Sequence, residues 1–142
     1  MKKGKKLESK LHSWLKELGI YHQRFFDSAS QGMIGSARPA DYWVYIYPQL
    51  FFIECKETQA KSLGFSAIRP TQYKASLEAE KHNIKYLLLI SINNSLYAVK
   101  MGLIMAYIGS TKRKSMSLDW LQQKGSLLKN KQDLAILLRN LA

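Results

Sequence analysis

The sequence predicts a mixed α/β fold in the order αβββαββ, followed by a helical tail. Three observations carry that expectation. Near the N-terminus a leucine-rich stripe repeats at helical spacing. Two runs rich in aromatic and β-branched residues flank Pro48-Gln49 and read as a β-hairpin. After Pro70, a polar helical stretch precedes two more apolar strands. A length of 142 residues fits one domain over 1–142, with a core over about 1–108 and a basic break and helical tail over about 109–142. A chain of this size buries enough apolar surface to fold without disulfides, and its single cysteine, Cys55, forms no internal one.

The elements follow in order. Leu7, Leu11, Trp14, Leu15 and Leu18 fall at i, i+4, i+7, i+8 and i+11, so Lys5 to Leu18 is an amphipathic helix with Gly19 placed for a left-handed cap. Ile20 to Phe26 reads as a strand, and Ser28 to Ala37, rich in Ser and Gly, as a loop. Asp41 to Tyr47 and Leu50 to Glu57 are the hairpin strands, and Thr58 to Gly64 is a polar loop. Pro70 opens a helix to about His82, with Tyr73 and Leu77 on one face. Tyr86 to Ile92 and Leu96 to Lys100 are strands around an Asn93-Asn94 turn. Met101 to Ile108 is apolar and reads equally as helix or buried loop. Thr111 to Lys114 is a basic break, and helical patterns follow over Leu118 to Lys124 and Lys131 to Leu141. The leucines of the last helix and the 101–108 segment could pack in the core or supply a subunit contact.

Charge narrows the partner. Lys and Arg number 22 against 10 acidic residues, for a net charge of +12 and a pI near 9.8. So basic a domain carries the footprint of a nucleic-acid binder, because neutralising phosphates releases counterions. A basic protein without a polyanionic partner is the plain alternative. An anionic membrane surface has less support, since no amphipathic Lys/Arg helix with exposed aromatics is present. No apolar stretch approaches the roughly 20 residues that span a bilayer. No apolar segment of the kind that marks a signal peptide follows the basic MKKGKK start. The expected location is the cytoplasm.

The chemistry is expected in the hairpin. Strand side chains alternate, so Glu54 and Lys56 project to one side and Cys55 to the other. If the turn is centred between Pro48 and Gln49, Asp41 lies opposite Lys56, and Asp41 and Glu54 are diagonal neighbours roughly 7–8 Å apart. Pro48 disfavours a two-residue primed turn because its φ is negative, and a four-residue loop keeps the same register. A loop of odd length would place Asp41 on the wrong face. Two carboxylates brought together repel unless a cation joins them, and Mg²⁺ takes oxygen ligands from one or two carboxylates, waters and a phosphate. A surface ion pair is the plain alternative for Glu54 and Lys56, but they end the continuously apolar run Leu50-Phe51-Phe52-Ile53, typical of a strand buried on both faces. Glu8 lies about 60° from Leu11 and about 20° from Leu15 on a helical wheel, either snorkelling at the stripe's edge or facing a third ligand position.

Asp41, twelve residues, then Glu54-Cys55-Lys56 resembles the D…ExK signature of the PD-(D/E)xK nuclease superfamily. Gly4-Lys5-x-x-Glu8, the run from Phe52 to Thr58, Phe65 followed by Gln72, and Lys112-Arg113-Lys114-Ser115-Met116 look like successive blocks of RecU-type Holliday junction resolvases. The resemblance extends over most of the chain. It implies a restriction-endonuclease-like core, a mixed central β-sheet flanked by helices, one of which carries Glu8. It implies Asp41, Glu54 and the main-chain carbonyl of Cys55 as metal ligands, Lys56 as the catalytic lysine, and Glu8 and Gln72 as further site residues. It also implies Mg²⁺ or Mn²⁺, a homodimer, and paired nicks across a four-way junction of branched DNA. Lys5, Lys6, Ser30, Arg38, Thr58, Arg69, Lys74, Lys112, Arg113 and Lys114 are the expected DNA contacts, as a set on the active-site side.

Two features depart from the family. Arg38-Pro39-Ala40 precedes Asp41, so the Pro–Asp pair is stretched by one residue, and Asp27 to Ala40 leaves little room for the family's stalk. His12, His22 and His82 are scattered and show no zinc spacing, and Ser28, Ser30 and Ser36 form no nucleophile elbow. A nuclease of the same superfamily with a flap or restriction-like substrate remains an alternative. So does a non-catalytic DNA-binding module, although two converging acids have no purpose in one.

Overall fold

The structure is a computed structural model that describes residues 5–26 and 38–142. The expected loop from Ser28 to Ala37, including Ser30, lies outside the described residues, as does the side chain of Lys5.

Helix α1 (Lys5–Glu17) forms as its leucine stripe dictates, with Leu7, Leu11 and Leu15 all buried. Gly19 takes φ +68°, its N–H donates to the Lys16 carbonyl and the N–H of Ile20 to the Leu15 carbonyl. This is a Schellman cap, which a residue with a β-carbon adopts only under strain. Strands β1 (Tyr21–Arg24), β2 (Tyr42–Ile46) and β3 (Gln49–Thr58) follow, then β4 (Ser62–Gly64) and helix α2 (Pro70–Lys81). Next come β5 (Lys85–Ile92), β6 (Ser95–Lys100), α3 (Met101–Ser110), β7 (Ser115–Ser117), α4 (Leu118–Lys124), β8 (Ser126–Leu127) and α5 (Lys131–Leu141). The main sheet runs β1-β2-β3-β5-β6-β8, and β4 pairs separately with β7. Only β3 and β5 are parallel, because the crossover through β4 and α2 returns the chain in the same direction. The fold is thus the expected mixed central sheet flanked by helices.

Two apolar layers sandwich the sheet. On one face α1 and α5 cover Val44, Phe51, Ile53, Leu87 and Leu89. On the other, α2, α3 and α4 cover Leu88, Ile90, Tyr97 and Val99. All of β5 but its first residue is buried, as a strand covered on both faces requires. The ambiguous 101–108 segment is helical, with Met101 and Ile104 in the second layer. In α5, Leu134 and Leu138 are core residues packed with the α1 leucines. Each such buried leucine contributes about 1.5–3 kcal/mol. No described helix is long and apolar enough to cross a membrane.

Two local expectations need correcting. The hairpin turn is Tyr47-Pro48, with Ile46 paired to Gln49 and a cis peptide before the proline, rather than a loop centred between Pro48 and Gln49. The β2–β3 ladder, which continues from Tyr42–Ile53 to Ile46–Gln49, leaves only two residues for the turn. The register therefore shifts by two residues, and an even shift leaves every side chain on its expected face. The 58–64 segment is not all loop: Thr58 ends β3 and Ser62–Gly64 pairs with β7. Strands of three residues are too short to show a period of two. The Asn93-Asn94 turn is as expected, both residues having positive φ.

Candidate active site

The site sits where β2 begins beside the middle of β3. The register that pairs Tyr42 with Ile53 puts Asp41 directly opposite Glu54, not opposite Lys56. Asp41 N–H donates to the Ile53 carbonyl at 3.1 Å, and the Cys55 N–H donates to Asp41 Oδ2 at 2.7 Å. The other carboxylate oxygen, Oδ1, lies 2.8 Å from the Arg38 guanidinium. Arg38 was expected at a DNA phosphate, and the structure places it on the first acid. The turn before Asp41 is pinned from the neighbouring strand, since the Tyr86 hydroxyl donates to the Pro39 carbonyl at 2.6 Å. Burial pushes the Tyr86 phenol up, with the Glu54 and Asp41 charges adding to the effect.

Glu54 is held from two sides. Gln72 Nε2 donates to Glu54 Oε2 at 2.9 Å, and Lys56 Nζ stands 3.3 Å from the same oxygen. Gln72 is the third residue of α2, whose start is set by Pro70. Its Oε1 accepts the Arg69 N–H at 3.0 Å, so the amide that holds Glu54 is locked in orientation by the helix's own N-terminus. Glu54 is buried, and its carboxyl is raised from 4.5 to about 7. Desolvation is the main cause and the Asp41 charge the second, with Lys56 opposing both.

Glu8 projects from α1 toward this corner. Its carboxyl is raised first by burial and then by the charge of Asp41. Arg24 Nε is 3.9 Å away, and Glu8 Oε1 is buried with no hydrogen-bond partner. Among the described residues no three His, Cys, Asp or Glu side chains gather closely enough to enclose an ion. Two facing carboxylates with an orphaned third acid nearby do fit a hard divalent cation that keeps part of its water shell. The Cys55 thiol is buried on the opposite face among the α1 leucines, and burial pushes it up, so only its main chain faces the acids.

The expected DNA contacts divide. Arg69 is exposed at the N-terminus of α2, and Lys74 is exposed one turn on. Lys112, Arg113 and Lys114 are exposed, and the Lys114 carbonyl accepts the Phe65 N–H at 2.9 Å, which ties the basic run to the segment leading into Gln72. Thr58 uses its hydroxyl to accept the Ala60 N–H. Lys6 lines a small cavity with Lys10 and Glu57 on the α1 side. Sequence reasoning missed Tyr86 as a support of the loop before Asp41; a tyrosine opening an otherwise aliphatic strand was the available signal.

The family model of RecU, recombination protein U, matches residues 21–141. The chain belongs to the RecU family. RecU-family proteins are Holliday junction resolvases, nucleases that hydrolyse DNA phosphodiester bonds in recombination. Such resolvases depend in general on divalent metal ions. The match starts at Tyr21, so within this RecU-family chain the place of Glu8 rests on geometry. The fold is similar to that of Hjc from Archaeoglobus fulgidus, a Holliday junction resolvase from an archaeal hyperthermophile. The TM-score is 0.61 at 13% identity, with 85% of this chain and 93% of that one covered, a likeness of fold. No curated protein matches in sequence.

Proposed function

We propose that this RecU-family nuclease nicks four-way DNA junctions as a homodimer of single-domain subunits, using Mg²⁺ or Mn²⁺ held by Asp41, Glu54 and the main-chain carbonyl of Cys55. The carrying observation is the convergence of two buried acids, Asp41 and Glu54, with Lys56 Nζ at 3.3 Å and Gln72 at 2.9 Å from one carboxylate oxygen. When bound, the ion supplies water activation and charge neutralisation at the scissile phosphate.

Lys56 donates to the attacking water or to the phosphate oxygens, where its charge counts for more in a partly dehydrated corner. Gln72 holds the Glu54 carboxylate in one orientation. Glu8 lies within electrostatic reach of Asp41 and accepts a proton or orders a second water. Arg69, Lys74 and Lys112–Lys114 contact backbone phosphates, and Arg38 exchanges between Asp41 and the DNA.

The test offers a four-way junction, a flap and a linear duplex with Mg²⁺ or Mn²⁺ and resolves the products on a denaturing gel. Symmetric nicks in the junction alone are expected. Cleavage of the flap or the duplex in preference would instead assign another DNA substrate, and no cleavage of any would leave a binding module.

A further inference from the structure

An antiparallel strand pair with one face in water normally turns polar residues outward. The β1–β2 end of the sheet does not. Its inward residues, Tyr42, Val44 and Phe51, are buried under α1, as that rule requires. Its outward residues are Tyr21, Gln23, Trp43, Tyr45, Leu50 and Phe52; Phe52 packs against the second apolar layer, whereas Tyr21, Trp43, Tyr45 and Leu50 belong to neither layer. Tyr21 is 70% exposed and Tyr45 38%, and they are cross-strand partners. Trp43 packs edge-on against Tyr21 at 5.2 Å.

The apolar surface continues past these strands. Phe52 meets Tyr86, and Tyr86 lines an open cleft of about 460 Å³ between the sheet and helices α2 and α3. The lining carries Leu103, 43% exposed, together with the charged Glu80, Lys85 and Lys100.

We propose that a second copy of this chain docks on this aromatic half of the sheet, with Trp43, Tyr45 and Leu103 near the centre of a two-fold interface. The proposal rests on the homodimer reading above and adds where the two copies meet. The composition of the strand face favours a second copy over DNA. A stable dimer needs roughly 800 Å² from each partner, and Tyr21, Tyr45 and the half-buried Trp43 together leave a few hundred Å² open before the cleft is counted. None of the six outward residues of these strands is charged. Rich in aromatics and poor in charge is the composition of a protein interface core, whereas phosphate binding needs cations. The exposed basic run at Lys112–Lys114 lies elsewhere, beside β7. Glu54 lies two residues beyond Phe52 on the same face of β3, so a two-fold contact places both catalytic corners on one assembly.

The experiment is light scattering or sedimentation on the full chain, alone and with a four-way junction, beside thermal unfolding. Tyr45→Lys and Leu103→Lys change exposed side chains and keep the fold; Ile136→Lys, at a 57% exposed position on α5, is the control. A wild-type dimer whose dissociation constant rises at least about a hundredfold in the first two variants and not in the control is expected. A dimer untouched by either variant overturns the interface and leaves the homodimer standing. A wild-type monomer, with and without the junction, overturns both. Variants that stay dimeric but lose junction affinity assign the surface to stacked bases and overturn the proposal.

Discussion

Asp41 and Glu54 face each other across β2 and β3, yet the protein holds them in different ways. Asp41 is fixed by the main chain: its own N–H and one of its oxygens both bond to β3, and the other oxygen meets Arg38. Glu54 is fixed by side chains, Gln72 from α2 and Lys56 from its own strand. The first acid therefore depends on sheet register, and the second on the docking of a helix. One position is built into the scaffold, while the other is tunable through its neighbours.

Removing either charge should have the largest effect. Asp41→Asn and Glu54→Gln keep the shape of each side chain but take away a carboxylate proposed to hold the ion, and each is expected to slow junction cleavage at least a hundredfold, about the scale of losing one strong electrostatic contact to a transition state. Junction binding should change only a few-fold, since phosphates are held by the exposed cations. Single-turnover cleavage and a binding isotherm on each variant check this, and full activity in either one would remove that residue from the site.

Gln72→Ala probes the asymmetry directly. It leaves both acids in place and removes only the bond that orients Glu54. Outer partners of this kind are worth about 10–100-fold in metal affinity or activity. The loss should be partly recovered by raising the metal concentration, which a folding defect would not allow. A metal titration of activity separates the two.

The shared face of Asp41, Glu54 and Lys56 was legible in the sequence because parity is robust. The turn was placed one residue too far along, but a two-residue shift in pairing left Asp41, Glu54 and Lys56 on one face. The helices at Leu118–Lys124 and Lys131–Leu141 have the predicted bounds, since their apolar spacing has a single solution. What was not legible depends on partners far along the chain. Nothing local indicates that Tyr86 reaches Pro39, or that the α5 leucines belong to the core. Strands β4, β7 and β8, at two or three residues, exist only because of what they pair with.

The protonation of Glu54 predicts a pH effect on the metal-free protein. Its carboxyl is raised from 4.5 to about 7, so between those values the folded state holds a proton that the unfolded chain has released. Stability must then fall as pH rises across that window, by roughly 3 kcal/mol at most, or on the order of 10 °C in melting temperature. Above about pH 7, added Mg²⁺ or Mn²⁺ should restore much of the loss by binding only the folded state. Glu54→Gln should flatten the pH profile and abolish the metal response. Glu8 shifts in the same direction and should leave a residual slope. A wild-type melting temperature that rises from pH 5 to 8 would contradict this.

The smallest effect is expected at the support of the other acid. Tyr86→Phe deletes one hydroxyl and with it the hydrogen bond to the Pro39 carbonyl, two residues before Asp41. A bond of this kind contributes about 1 kcal/mol, and the half-buried carbonyl left behind adds at most a little to the cost. Because Asp41 keeps both main-chain bonds to β3, cleavage should fall only a few-fold, while melting drops by a few degrees. A loss in kcat as large as that of Gln72→Ala would mean that Asp41 is positioned by the loop before it rather than by the sheet, and the contrast between the two acids would vanish.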